Sequence, residues 1–176
     1  MKIVMVMVAT LNGKITKRDD PDIYKWTSRE DQTYFFFLLK KSRLIVMGSK
    51  TYEAAQKNIK LTNNTLRIVL TKNPMEYRKD FVPGKLEFTN ELPRQLVKRL
   101  DACGYEKMLL VGGGVLNAAF LKAGLVNEVH LTLEPKIFGA GKPFVGDNEF
   151  ECSLKLISIK RLNTQGTLLL RYKIGD

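Results

Sequence analysis

The chain has 176 residues, 44% of them hydrophobic and 27% charged, a size and balance that suit one folded domain (residues 1–176) and exclude a disordered or low-complexity chain. Its 29 lysines and arginines against 18 acidic residues give a net charge of +11, which favours an anionic partner: nucleic acid, a membrane surface, or a phosphorylated or carboxylated small molecule. The basic residues are scattered and no RNA- or DNA-reading motif is evident, so a small molecule is favoured over nucleic acid. No apolar stretch is long enough to cross a bilayer and no cleavable signal pattern opens the chain. Cys103 and Cys152 make no disulfide framework and no metal-spaced cluster. The expectation is a cytoplasmic protein without a metal, monomeric or homodimeric.

In chain order, "KIVMVMVA" at 2–9 is an apolar run that predicts a strand buried on both faces. "SREDQTYFFFLLKK" at 28–41 predicts a helix on which Asp31, Tyr34, Phe35, Leu38 and Ser42 share one stripe. "LIVMG" at 44–48 predicts a strand and "KTYEAAQKN" at 50–58 a helix; "LRIVLT" at 66–71 is a third strand. "NELPRQLVKRLDAC" at 90–103 predicts a helix, "KMLLVG" at 107–112 a strand, and "GGVLNAAFLKAG" at 113–124 another helix. Then the alternation stops. "EVHLTLEPKI" at 128–137, "LKLISIKRL" at 154–162 and "TLLLRYKI" at 167–174 are strands without helices between them, and "NTQG" at 163–166 is a hairpin turn. The fold class is α/β: a mixed, mostly parallel central sheet with helices on both faces and a C-terminal antiparallel hairpin, three layers in all.

Two places demand a chemical explanation. The triplet Gly112, Gly113, Gly114 lies between a strand and a helix, where unpaired N–H groups and the helix dipole suit a phosphate, or where glycine merely serves a tight turn. It is neither a dinucleotide fingerprint nor a Walker loop. Asp31 falls in line with an apolar face, where a carboxyl must be partnered, protonated or functional. The plainer reading is a helix cap, with Ser28 at the N-cap and Asp31 at the third position.

"LLVGGGVLNAAFLKAGLVNEVHLTLEPKIFGAGKPF" at 109–144 resembles the C-terminal half of the dihydrofolate reductase superfamily, which also contains the reductase domain of riboflavin biosynthesis. The resemblance extends over nearly the whole chain. It implies NADPH as cofactor, with Gly112, Gly113, Gly114 and Val115 against the nicotinamide side and pyrophosphate. "MVATLNGKIT" at 7–16 looks like the first strand and the loop that closes on nicotinamide, so Val8 and Ile15 would line that ring. "LIVMGSKTYE" at 44–53 is similar to the turn at the cofactor's phosphates. This places Gly48, Ser49, Lys50 and Thr51 there, with Ser49 in place of the usual arginine. Lys50, Thr71 and Lys72 are the contacts offered to a 2′-phosphate.

Trp26, Asp31 and Phe35, with Thr132 on a distant strand, reproduce the spacing of the acid and its neighbours in dihydrofolate reductases. By that resemblance Asp31 would bind a pterin edge and promote protonation, Trp26 would carry an ordered water, and Phe35 would pack on the heterocycle. Burial should raise the carboxyl's pKa. Thr65 stands where the arginine that grips a folate carboxylate is expected, and Arg67 is offered as its substitute. His130 is read as a hydrogen-bonded core residue. The riboflavin branch is supported by "LNGKIT" and "FLKAGLVNEVHL", but its "DDP" motif is not at the matching place. The sequence favours reduction of dihydrofolate to tetrahydrofolate, with a riboflavin-pathway reductase as the alternative and a basic nucleic-acid-binding protein as the rival from another class.

Overall fold

The computed structural model describes residues 1–146 and 149–175. Along the chain come β1 (Lys2–Thr10), α1 (Arg29–Lys41), β2 (Leu44–Gly48), α2 (Ser49–Ala55), β3 (Leu66–Leu70), β4 (Leu86–Thr89), α3 (Pro93–Ala102), β5 (Lys107–Leu110), α4 (Gly114–Lys122), β6 (Glu128–Glu134), β7 (Leu154–Arg161) and β8 (Leu168–Ile174). The strands form one sheet in the order β4-β3-β2-β5-β1-β6-β8-β7. Pairs from β4 through β6 are parallel, while β6–β8 and β8–β7 are antiparallel. The expected mixed sheet and C-terminal hairpin are therefore what forms.

Three details differ from the sequence reading. β4 has no apolar run to announce it, because only Leu86 of its four residues is buried. The helix expected over 50–58 is α-helical only to Ala55 and ends as a 3-10 turn at Gln56–Asn58. The helix expected from residue 90 starts at Pro93, where the fixed φ and missing N–H of proline suit a first turn.

The apolar runs of β1, β2, β3 and β5 are continuous because these strands pack on both faces. On one face Ile3, Met5, Leu44, Val46, Met108 and Leu110 meet Leu96 and Leu100 of α3 and Leu116 and Phe120 of α4. On the other, Val4, Val6, Ile45, Met47 and Leu109 meet Tyr52 of α2 and Phe35, Leu38 and Leu39 of α1. Period-two alternation puts Arg67 and Thr132 on this second face. It is the face beneath α1 and α2 that carries the buried polar groups. Among the described residues no helix is long and apolar enough to cross a membrane.

Candidate active site

A cleft of about 1970 Å³ opens beyond the C-terminal ends of the parallel strands, between α1, α2 and the start of α4. Open parallel sheets present ligand sites at this edge, where chain turns diverge and helix N-termini point inward. Val8, Ile15, Asp31, Phe35, Gly48, Ser49, Lys50, Thr51, Arg67, Thr71, Lys72, Gly113, Gly114 and Val115 all line it. Residues named from five separate stretches of sequence thus meet in one space. Trp26, Gly112 and Thr132 do not line the cleft: Gly112 lies behind its floor, Thr132 beneath Asp31, and Trp26 beside a smaller cavity of about 280 Å³.

The three glycines have three different causes. Gly112 has φ +88°, and a Cβ there would sit 2.9 Å from Met7 Sδ, so backbone conformation and packing both require glycine. A side chain on Gly114 would run into the carbonyl of Pro143, so the neighbouring loop requires it. Gly113 is different. Its φ is negative, and a Cβ would meet only Thr51 Oγ1, at 3.4 Å. Among the described residues nothing else lies within 4 Å of that position, and Gly113 lines the cleft. Gly113 is also the N-cap of α4 and Gly48 the N-cap of α2, and neither helix start has a side-chain cap. The Gly48 N–H donates to the Gly112 carbonyl at 2.8 Å, which holds the two turns side by side. Two helix starts with unclaimed N–H groups beside a bare stretch of backbone form a cradle for a diphosphate.

Across the cleft, Asp31 is 6% exposed. Burial pushes its carboxyl up from 3.8 to about 6; a hydrogen bond from Thr132 opposes the rise and the charge of Glu134 adds to it. Ser28 does cap α1, its Oγ accepting the Asp31 N–H at 3.3 Å, while Asp31 also lines the cleft. Three polar ties fasten α1 to β6. The Ser28 N–H donates to Glu134 Oε1 at 2.6 Å, Asp31 bonds Thr132, and the Tyr34 hydroxyl lies 2.8 Å from His130 Nδ1. Residues 28, 31 and 34 of the helix side thus descend a strand ladder of 134, 132 and 130. His130 is buried in this network with Glu128 at 3.2 Å and does not face the cleft, as its reading as a core residue expected.

At the far end, Arg67 occupies a strand position whose neighbour Val69 is core. Arg67 as a whole is 9% exposed, and its buried Nη1 has no hydrogen-bond partner among the described residues. Burial lowers its pKa, and a buried cation of this kind is costly without an anion. Lys40 and Lys60 line the same end of the cleft. Thr65 takes no part in it as an ion partner; its hydroxyl donates to the Ser42 carbonyl at 2.9 Å. Trp26 is 5% exposed, packs edge-on against Phe138 at 5.3 Å and leaves Nε1 without a partner among the described residues. Sequence reading missed Lys40, Lys60 and the aromatic rim of Tyr24 stacked with Phe36 at 6.1 Å. Their spacing carries no motif; only the folded chain gathers them.

The family model of the RibD C-terminal domain matches residues 1–168. An uncharacterized protein of Bacillus subtilis (strain 168), YyaP, is 23% identical over 93% of this chain and 90% of its own length. The 2,5-diamino-6-ribosylamino-4(3H)-pyrimidinone 5′-phosphate reductase of Methanothermobacter thermautotrophicus is 34% identical, but over 45% of this chain and 39% of its own. Among solved structures, a putative riboflavin biosynthesis protein from Shewanella sp. PV-4 superposes with a TM-score of 0.80, at 21% identity over the full length of both. A Thermotoga maritima diaminohydroxyphosphoribosylaminopyrimidine deaminase/5-amino-6-(5-phosphoribosylamino)uracil reductase gives 0.76 at 16% identity, over 99% of this chain and 56% of that one. These likenesses establish the fold.

They also overturn the expectation of dihydrofolate reduction and tetrahydrofolate synthesis. Of the features that suggested it, Asp31 and Phe35 line the cleft while Trp26 and Thr132 do not, and Thr65, where a folate-gripping arginine was expected, is a backbone tie. By the match over residues 1–168, this chain belongs to the RibD C-terminal domain family.

Proposed function

We propose that this protein is an NADPH-dependent reductase of a ribosylaminopyrimidine 5′-phosphate. The observation that carries the reading is the buried Nη1 of Arg67, without a hydrogen-bond partner among the described residues, in the same cleft as the Asp31 carboxyl. A ligand that ends in a phosphate neutralises Arg67, with Lys40 and Lys60 beside it, and charge-assisted bonds to phosphate are among the stronger polar contacts. The Methanothermobacter relative, a reductase of such a 5′-phosphate, supports this class of substrate.

The residues present fit NADPH. The open face of Gly113 and the uncapped starts of α2 and α4 suit its pyrophosphate. Ser49, Lys50, Thr71 and Lys72 stand together for a 2′-phosphate, and Val8 and Ile15 offer an apolar surface to the nicotinamide. When bound, NADPH supplies a hydride. The chain's own residues do the rest. A sugar joined through nitrogen opens to an imine, and reduction places a hydride on its carbon and a proton on its nitrogen. Asp31, with its carboxyl raised to about 6, keeps a protonated fraction near neutral pH that an ordinary aspartate would not, and that fraction can deliver the proton. Thr132 orients that carboxyl, and Phe35 with Leu39 excludes water from the wall above it.

The test is NADPH oxidation by purified protein offered the ribosylaminopyrimidine 5′-phosphate, its dephosphorylated form, or dihydrofolate. Turnover of the phosphorylated compound, weakened by dephosphorylation and by Arg67→Met, is expected. Turnover of dihydrofolate alone, or indifference to the phosphate, refutes the proposal.

A further inference from the structure

Asp31 occupies the third position of α1, and Ser28 is the N-cap. In a capping box the side chain at that third position folds back to accept the N-cap N–H. Here it does not. The Ser28 N–H is taken instead by Glu134 Oε1 at 2.6 Å, from a strand 106 residues away in sequence. Glu134 is 2% exposed, and its second oxygen accepts the Thr167 hydroxyl at 2.9 Å. Thr167 in turn accepts from Asn163 Nδ2 at 2.9 Å, and Asn163 donates to Glu30 at 3.1 Å. Both carboxylate oxygens of Glu134 are thus engaged with the frame, and Glu134 does not line the cleft.

We propose that Glu134 is a positioning residue: by taking over the N-cap N–H of α1 it releases the Asp31 carboxyl from the helix cap and leaves it facing the cleft. The proposal rests on the role given to Asp31 above. Two carboxyls lie near one N–H, and only one can have it. The one that takes it is fixed to β6 and β8; the other is free for chemistry. The same exchange explains how a sequence that reads as a near capping box supplies an acid to a site. The charge of Glu134 further favours the neutral form of Asp31. Tyr24, from the turn before α1, is the other titratable group that interacts with the Asp31 charge among the described residues.

The experiment follows the Asp31 carboxyl carbon by NMR through a pH titration, assigned with Asp31→Asn, alongside turnover. In Glu134→Leu the Ser28 N–H loses its partner, and Asp31 is expected to fold back onto it. Its midpoint then falls from about 6 to the ordinary carboxyl range or below, and turnover drops at least about tenfold, as for loss of a general acid. Glu134→Gln keeps an acceptor for Ser28 and is expected to hold turnover within about threefold, with a smaller fall in the midpoint from the lost charge. If Glu134→Leu does not fold, Thr167→Val, which unties Glu134 from β8, is expected to lower both midpoint and turnover. An Asp31 midpoint and turnover unchanged in the folded variants overturn the proposal. Full turnover in Asp31→Asn would instead overturn the role of Asp31, so the two failures are distinguishable.

Discussion

Asp31→Asn should make the protein more stable at neutral pH while abolishing its reductase activity. The carboxyl has its pKa raised from 3.8 to about 6 by burial, so the folded state binds the proton more tightly than the unfolded one. Below pH 3.8 both states are protonated and no penalty exists. As pH rises from 3.8 to about 6 the unfolded chain releases the proton first, so stability falls with pH across that window. Above it the penalty is complete, at about 3 kcal/mol for a shift of this size. Asparagine keeps an acceptor for the Thr132 hydroxyl and cannot ionise. Urea unfolding of both proteins from pH 4 to pH 8 should therefore show the variant ahead by about 3 kcal/mol at the alkaline end and level at the acid end. In a chain of this size that is roughly 6–12 °C in Tm. A variant no more stable than the parent at pH 8, or an advantage that does not shrink on acidification, refutes the assignment of a strained, buried carboxyl.

The same shift predicts that kcat/KM for the phosphorylated substrate falls as pH rises through about 6, because only the protonated acid delivers a proton; a profile flat from pH 5 to pH 8 excludes that role. Arg67→Met should raise KM about 10–100-fold, the worth of one or two charge-assisted bonds, without lowering Tm, since it replaces a buried unpaired cation with an apolar chain of similar length; a clear drop in Tm contradicts the reading of an orphaned group. Gly113→Ala should fold with a Tm close to the parent's, yet bind NADPH at least about tenfold more weakly by calorimetry. Gly114→Ala should lose stability in thermal melts with or without cofactor, because its side chain meets the Pro143 carbonyl. Equal behaviour of the two would remove the distinction drawn between them.

Much of the architecture was legible because its strands are buried on both faces and so appear as uninterrupted apolar runs. β4 was not, because it lies at an edge with one buried residue in four and leaves no pattern. The stripe that puts Asp31 among apolar residues is a local, helical fact and could be read from spacing. What frees that carboxyl is not local: the bond from Ser28 to Glu134 joins segments 106 residues apart, and the shared parity of Thr132 and Glu134 was the only trace of it. Substrate choice was misjudged for a related reason. Asp31 and Phe35, with Thr132 beneath, come from α1 and β6, whereas the cations Lys40, Lys60 and Arg67 reach the cleft from α1, the chain between α2 and β3, and β3. No motif links these three cations.

The three ties from α1 to β6 constrain how this chain can change over time. Each added residue turns a helix by about 100° and lengthens it by about 1.5 Å. One insertion between Ser28 and Asp31 would therefore carry two of the three partners off the strand at once, and one between Asp31 and Tyr34 would carry off the third. Length in that turn is frozen. Exchange of side chains on the cleft wall at Phe35, Phe36 and Leu39 disturbs none of the ties. A lineage can reshape the pocket one side chain at a time on a helix whose rotation is already settled, so new substrates need not come at the expense of the acid's aim.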